Sequence, residues 1–196
     1  MQLTRYSDIK IFVINKLKDL DPNLTYHNIA HTLDVLSCSE KIAKEEGIDD
    51  AEQVFLLKTA ALYHDTGFLR TYADHEKISC EIFLEDAGQF GFSKKQKDII
   101  VGLIMATKVP QQPIGILQQI ICDADLDYLG RDDFYKLGGN LRKEFLFFKV
   151  LANDQEWEAL QLKFLANHHY HTKYSRENRE PGKQLHYSEL VHTEPD

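Results

Sequence analysis

The sequence predicts an all-α fold in a single domain, and three observations carry that expectation. Apolar residues recur at spacings of three and four, while alternating strand patterns are nearly absent. Glycine, proline and capping residues punctuate the chain at helix-length intervals. The connections left between them are short, which makes successive helices pack on one another. At 196 residues the chain can bury a sizeable core without staples, and no linker or internal repeat divides it.

The helices follow in order. Ser7 is placed to cap a first helix to about Leu20, with Asp21-Pro22 as the break. A second runs from about Asn28 to Glu46 and closes at Gly47. A third covers about Asp50 to Tyr63, meets Gly67, and is apolar almost all round, so it is central. A fourth starts near Ala73 and stops before Gly88; Ser93 caps a fifth, which ends before the loop of Pro110 and Pro113. A sixth runs from about Ile114 to Leu129 and stops at Gly130. Beyond the glycine pair at 138–139 come one or two more helices, to about Arg176. Residues 1–180 read as the domain, and 181–196 as a polar, frayed tail that begins with a Pro181-Gly182 turn.

Composition narrows the partners. A formal net charge of −8 argues against nucleic acid and against an anionic membrane surface, both of which select basic patches. A bound cation can invert the local sign, so small phosphorylated substrates stay open. No stretch approaches the ~20 apolar residues of a membrane span, and the N-terminal segment lacks a signal-peptide core. Cys38, Cys80 and Cys122 lie far apart in apolar surroundings and read as reduced thiols of a cytoplasmic protein.

Candidate chemistry comes from helical phase. His31, Val35, Cys38 and Ile42 share one face of the second helix, which aims His31 at the core, with His27 four residues before it. On the third helix Val54, Leu57, Ala61 and His64 share a stripe, and Asp65 follows directly, before the break at Thr66-Gly67. A buried carboxylate is costly unless a cation or donor meets it. In the sixth helix Leu117, Ile121, Ala124 and Tyr128 define the buried face; Asp125 lies on it, Asp123 almost opposite, and Asp127 at its margin. His31, His64, Asp65 and Asp125 thus converge as a mixed nitrogen and oxygen set suited to a divalent ion such as Mn, Fe, Zn, Mg or Co.

In order and spacing, the segments YHNIAHTLDVL, ALYHDTGF and CDADLDYLG resemble the signature of the HD-domain superfamily of metal-dependent phosphohydrolases, over about residues 24–130. The first also resembles the opening motif of cyclic nucleotide phosphodiesterases. The resemblance implies an HD-type helical bundle with His31, His64, Asp65 and Asp125 as metal ligands. It makes His27 a general acid and Asp65 the shared carboxylate at the centre of the chemistry. His75 matches a position that supplies a second metal site in some relatives. The segment MATKVP stands where such proteins place a further histidine, so one ion is expected, with a second, water-rich ion bridged by Asp65 as the alternative.

His75, Lys108 and Arg131 are the candidates for holding substrate, with Arg179 and Lys183 as further cations near the end of the chain. Asn28 and Asp34 are expected to orient the ligands or cap the helix, the histidine tract at 168–171 to stand outside the site, and the aromatic run at 145–149 to be core. The expected function is hydrolysis of a phosphoester of a nucleotide or related small molecule. The alternatives are a phosphodiesterase for a cyclic nucleotide or signalling dinucleotide, a silent nucleotide-binding regulatory module, and a di-iron oxygenase. The last needs more histidine ligands than this region supplies. Oligomeric state is not legible in the sequence.

Overall fold

A computed structural model describes residues 2–193, which form ten α-helices, two 3-10 turns and no strand. Helix α1 (Gln2–Leu17) buries Ile9, Val13 and Leu17, spaced by four, and packs on α3 (Ala51–Tyr63). In the chain, α2 (Ile29–Glu45) comes between them and also packs on α3. Central position fits the composition of α3, whose residues 55–57 and 59–63 are all buried. A 3-10 turn at Thr66–Leu69 leads to α4 (His75–Asp86), followed by α5 (Lys94–Ala106) and α6 (Ile116–Asp125). Helices α2, α3, α5 and α6 pack around the larger of two apolar cores.

Caps explain the boundaries that the sequence marked well. Asn28 accepts from the N–H groups of Ala30 and His31, Asp50 from Gln53, and Ser93 forms a reciprocal capping box with Gln96. Ser7, expected as a cap, lies inside α1, which begins earlier. Helix α6 is shorter than expected: it stops at Asp125, and a second 3-10 turn spans Asp127–Gly130.

The C-terminal third departs most from expectation. The glycine pair falls inside α7 (Phe134–Phe147), followed by α8 (Asp154–Asn167) and the short α9 (Lys173–Asn178). A Cβ on Gly138 would meet Gln161 Nε2 at 3.1 Å and Trp157 at 3.8 Å, so the glycine is a spacer against α8 and not a break. Residues expected to form a turn and a frayed tail make α10 (Glu180–Thr193), which packs on α8 and on the second 3-10 turn. Lys183 and His186 of α10 are buried. A Cβ on Gly130 would lie 2.1 Å from the Arg179 carbonyl oxygen, and one on Gly182 would lie 2.4 Å from the carbonyl oxygen of Gly130. These two glycines let backbone meet backbone, which is why both are there. Residues 194–196 of the expected tail lie outside the described residues. Tyr26, Tyr128, Leu129, Phe134, Leu165 and Tyr170 form the second core. Among the described residues no helix is long and apolar enough to cross a membrane.

Candidate metal centre

The donors gather where α2 begins and where α3 and α6 end. Asn28 caps α2 and fixes His31 in its first turn, with the ring buried. His64 closes α3, fully buried, and Asp65 starts the turn that follows. The nearest donor atoms of His31, His64 and Asp65 all lie within 4.8 Å of one another. Asp125 joins from the last residue of α6, its Oδ1 3.2 Å from His31 Nε2 and 3.5 Å from His64 Nε2.

Hydrogen bonding sets the tautomer of His64. Its Nδ1 lies 2.8 Å from the Ala61 carbonyl oxygen, which can only accept, so Nδ1 carries the proton and the Nε2 lone pair faces the cluster. That lone pair lies 3.4 Å from His31 Nε2 and 3.2 Å from Asp65 Oδ2. Burial pushes both imidazole pKa values down, but Asp65 and Asp125 outweigh it: His31 is raised to about 9 and His64 lies well above its usual range. Burial pushes the carboxyls up, yet the imidazoles hold Asp125 at about 2 and Asp65 well below its usual value. Charging both rings would set two like groups 3.4 Å apart.

The donor set fits a divalent cation better. One ion supplies the same two positive charges to the carboxylates and accepts both nitrogen lone pairs. Asp65 Oδ2, buried and without a hydrogen-bond partner, is the oxygen that such an ion would satisfy.

Around this cluster stands a layer of aromatic and acidic groups. Asp65 Oδ1 lies 3.3 Å from His75 Nε2. His75 is the first residue of α4, and α4 can come this close because residue 67 is glycine: a Cβ there would lie 1.9 Å from the His75 carbonyl oxygen. Phe68 is stacked between His75 and His27, at centroid distances of 4.0 and 4.4 Å. His27 precedes the α2 cap, and its Nδ1 donates to Glu144 Oε1. Glu144, fully buried on α7, also accepts from the backbone N–H groups of Tyr26 and His27 and from the Tyr72 hydroxyl. Burial pushes its carboxyl up, but the His27 ring and the backbone N–H groups of Tyr26 and His27 outweigh it and hold it below its usual value. With Nδ1 pinned, His27 keeps Nε2 for the cavity that its ring lines.

Sequence reasoning missed Glu144, because it follows Arg142 and Lys143 in what reads as a solvated charge run. Asp123 points away, as phase required, and accepts from Thr172 and from the N–H groups of His171 and Thr172. Asp34 pairs with Arg131 rather than reaching the cluster. Two expected substrate cations are held elsewhere. Lys108 pairs with Asp74 at 2.6 Å on the surface. Arg131 is shared among Asp34, Asp127 and Asp133. The aromatic run at 145–149 is not core: Phe145 lines the cavity, Phe147 is exposed, and Phe148 stacks on Tyr72. The three cysteines are free thiols.

Comparison with protein families matches the HD domain over residues 28–127, just over half of the chain. The chain belongs to the HD domain family. That is the superfamily of metal-dependent phosphohydrolases that the sequence motifs resemble, and HD domains bind divalent metals. His31, His64, Asp65 and Asp125 all lie inside the matched segment of this HD domain, while Glu144 and most of the apolar cavity wall lie beyond it. Comparisons with curated proteins and with solved structures return no match.

Proposed function

We propose that this HD domain hydrolyses a phosphoester of a nucleotide or related small molecule. One observation carries the reading: two imidazoles and two carboxylates from α2, the end of α3 and its following turn, and α6 converge where a cavity opens, with His64 Nε2 and an Asp65 oxygen that has no hydrogen-bond partner turned to the same point. Asp65, His64, His31 and Asp125 would hold the ion. A divalent metal there lowers the pKa of water and polarises a phosphoryl oxygen.

The chain's own groups divide the remaining work. Asp65, between His75 on one side and His31 and His64 on the other, would orient the attacking water and take up the proton that the water loses as it bonds to phosphorus. The water oxygen bonds to phosphorus as the bond to the leaving oxygen breaks. His27, held by Glu144 through Nδ1, delivers a proton from Nε2 to that departing oxygen. The His27–Glu144 pair favours an ester whose leaving group needs a proton, as a diester does. Bound beside Asp65 and Glu76, His75 contacts substrate or a second ion.

The test is product release by the full chain loaded in turn with Mn, Mg, Fe, Co and Zn, using nitrophenyl phosphate, bis-nitrophenyl phosphate and a nucleotide panel. Turnover should appear with at least one metal and vanish in Asp65→Ala. Absence of turnover with every metal and substrate, or full turnover in Asp65→Ala, overturns the reading.

A further inference from the structure

The cavity beside the metal centre constrains what can be bound there. Asp65, Asp125, His27 and His75 form its polar end. The rest is apolar wall, supplied by Leu141 and Phe145 of α7 and by Trp157, Leu160 and Phe164 of α8. On α8 the lining residues 157, 160, 161, 164 and 165 follow one helical stripe, so a whole helix face is turned inward. Its volume is about 280 Å3, at or below the small end of ligand pockets, which run from roughly 300 to 1,000 Å3.

Charge is the deciding feature. Among the described residues no lysine or arginine lines this cavity, whereas Asp65, Glu76 and Asp125 all do. Lys108 and Arg142, each next to a lining residue in the chain, are paired with Asp74 and Asp154, and Lys163 lines the adjoining cavity instead of this one. A triphosphate or diphosphate would leave charged oxygens against leucine and phenylalanine without a cation to meet them, which is costly. One phosphoryl group can be met at the metal end. Away from that end, the Gln161 side chain offers the wall one neutral hydrogen-bonding group.

We propose that the substrate carries a single phosphoryl group on an uncharged, largely apolar body about the size of one ring system. This rests on the phosphohydrolase reading and narrows it: a dinucleotide would not be enclosed by the cavity, and a polyphosphate is too highly charged for its apolar wall.

Trp157 lines the cavity and is the chain's one tryptophan, so its fluorescence reports occupancy without turnover. The full chain, loaded with Mn, would be titrated with benzylphosphonate and, separately, with the β,γ-imido analogue of ATP. Benzylphosphonate should change the emission and saturate at a concentration at least ten-fold lower than the ATP analogue. Leu160→Lys, which places a cation in the wall, should weaken benzylphosphonate at least ten-fold and narrow or reverse the preference. Equal or tighter binding of the ATP analogue by the wild-type chain overturns the proposal, as does an emission that benzylphosphonate leaves unchanged. The two readings fail separately. A tryptophan response without turnover of any ester keeps the ligand class and rejects the catalysis; turnover with a preference for polyphosphate does the reverse.

Discussion

His27 and His31 are four residues apart and belong to different structures. His31 lies inside the first turn of α2, its ring turned to His64, Asp65 and Asp125. His27 precedes the cap and is fixed by Phe68 and Glu144. His27→Ala should therefore separate metal binding from proton delivery. Metal occupancy, measured by elemental analysis, should stay near wild type. Turnover of an unactivated diester should fall by a factor of ~100 or more, the usual share of a positioned acid, while a nitrophenyl ester should slow much less. Loss of the metal in this variant would make His27 a ligand and dissolve the distinction. At this scale helical phase was a good guide: it placed Asp125 inward and Asp123 away from the cluster, because both precede the end of α6. It gave no hint of Glu144, whose partners come from loops more than seventy residues away in the chain or from the segment before α2.

Helix α8 ends at Asn167 and is capped by His168, the start of a histidine tract that reads as a metal site by composition. The structure gives it another character. His168 stacks on Phe164, and neither of its ring nitrogens has a hydrogen-bond partner. Burial, assisted by the Lys183 ammonium, pushes its pKa down to about 3. The unfolded chain takes up a proton near pH 6.5 while the folded chain does not until about pH 3, so this group costs stability as pH falls through that window. His168→Phe should remove the cost. Between pH 7 and pH 5 the wild type should lose up to about 2 kcal/mol more than the variant, read from urea midpoints at the two pH values; parallel losses would show that His168 is protonated when folded.

Element boundaries were legible where a side chain caps the backbone, at Asn28, Asp50 and Ser93. They were not legible where glycine or proline has another task. Gly138 makes room for Trp157 and Gln161, and Pro181 is tolerated in the first turn of α10, where a helix has no use for its missing N–H.

On the scale of the molecule, the donor cluster ties α2, α3 and α6 together at one point. An ion held there binds only the folded chain, so its removal should lower stability. At a hundred-fold excess over its dissociation constant the ion contributes about 2.7 kcal/mol, or roughly 5–10 °C in melting temperature for a domain of this size. Melting after exhaustive chelation, and again after adding back each divalent metal, measures this. Asp65→Ala should abolish the increment, and an increment that persists in the variant would place the ion elsewhere.

The boundary of the family match runs between the metal centre and the α7–α8 wall of the cavity. The four metal donors and the residues that would choose the substrate are therefore encoded in separate stretches of the chain, while Glu144, which holds His27, shares α7 with the wall. A library confined to Leu141, Leu160 and Phe164 would explore new substrates without replacing one metal donor, so the fold lends itself to changes of specificity that leave the metal centre in place.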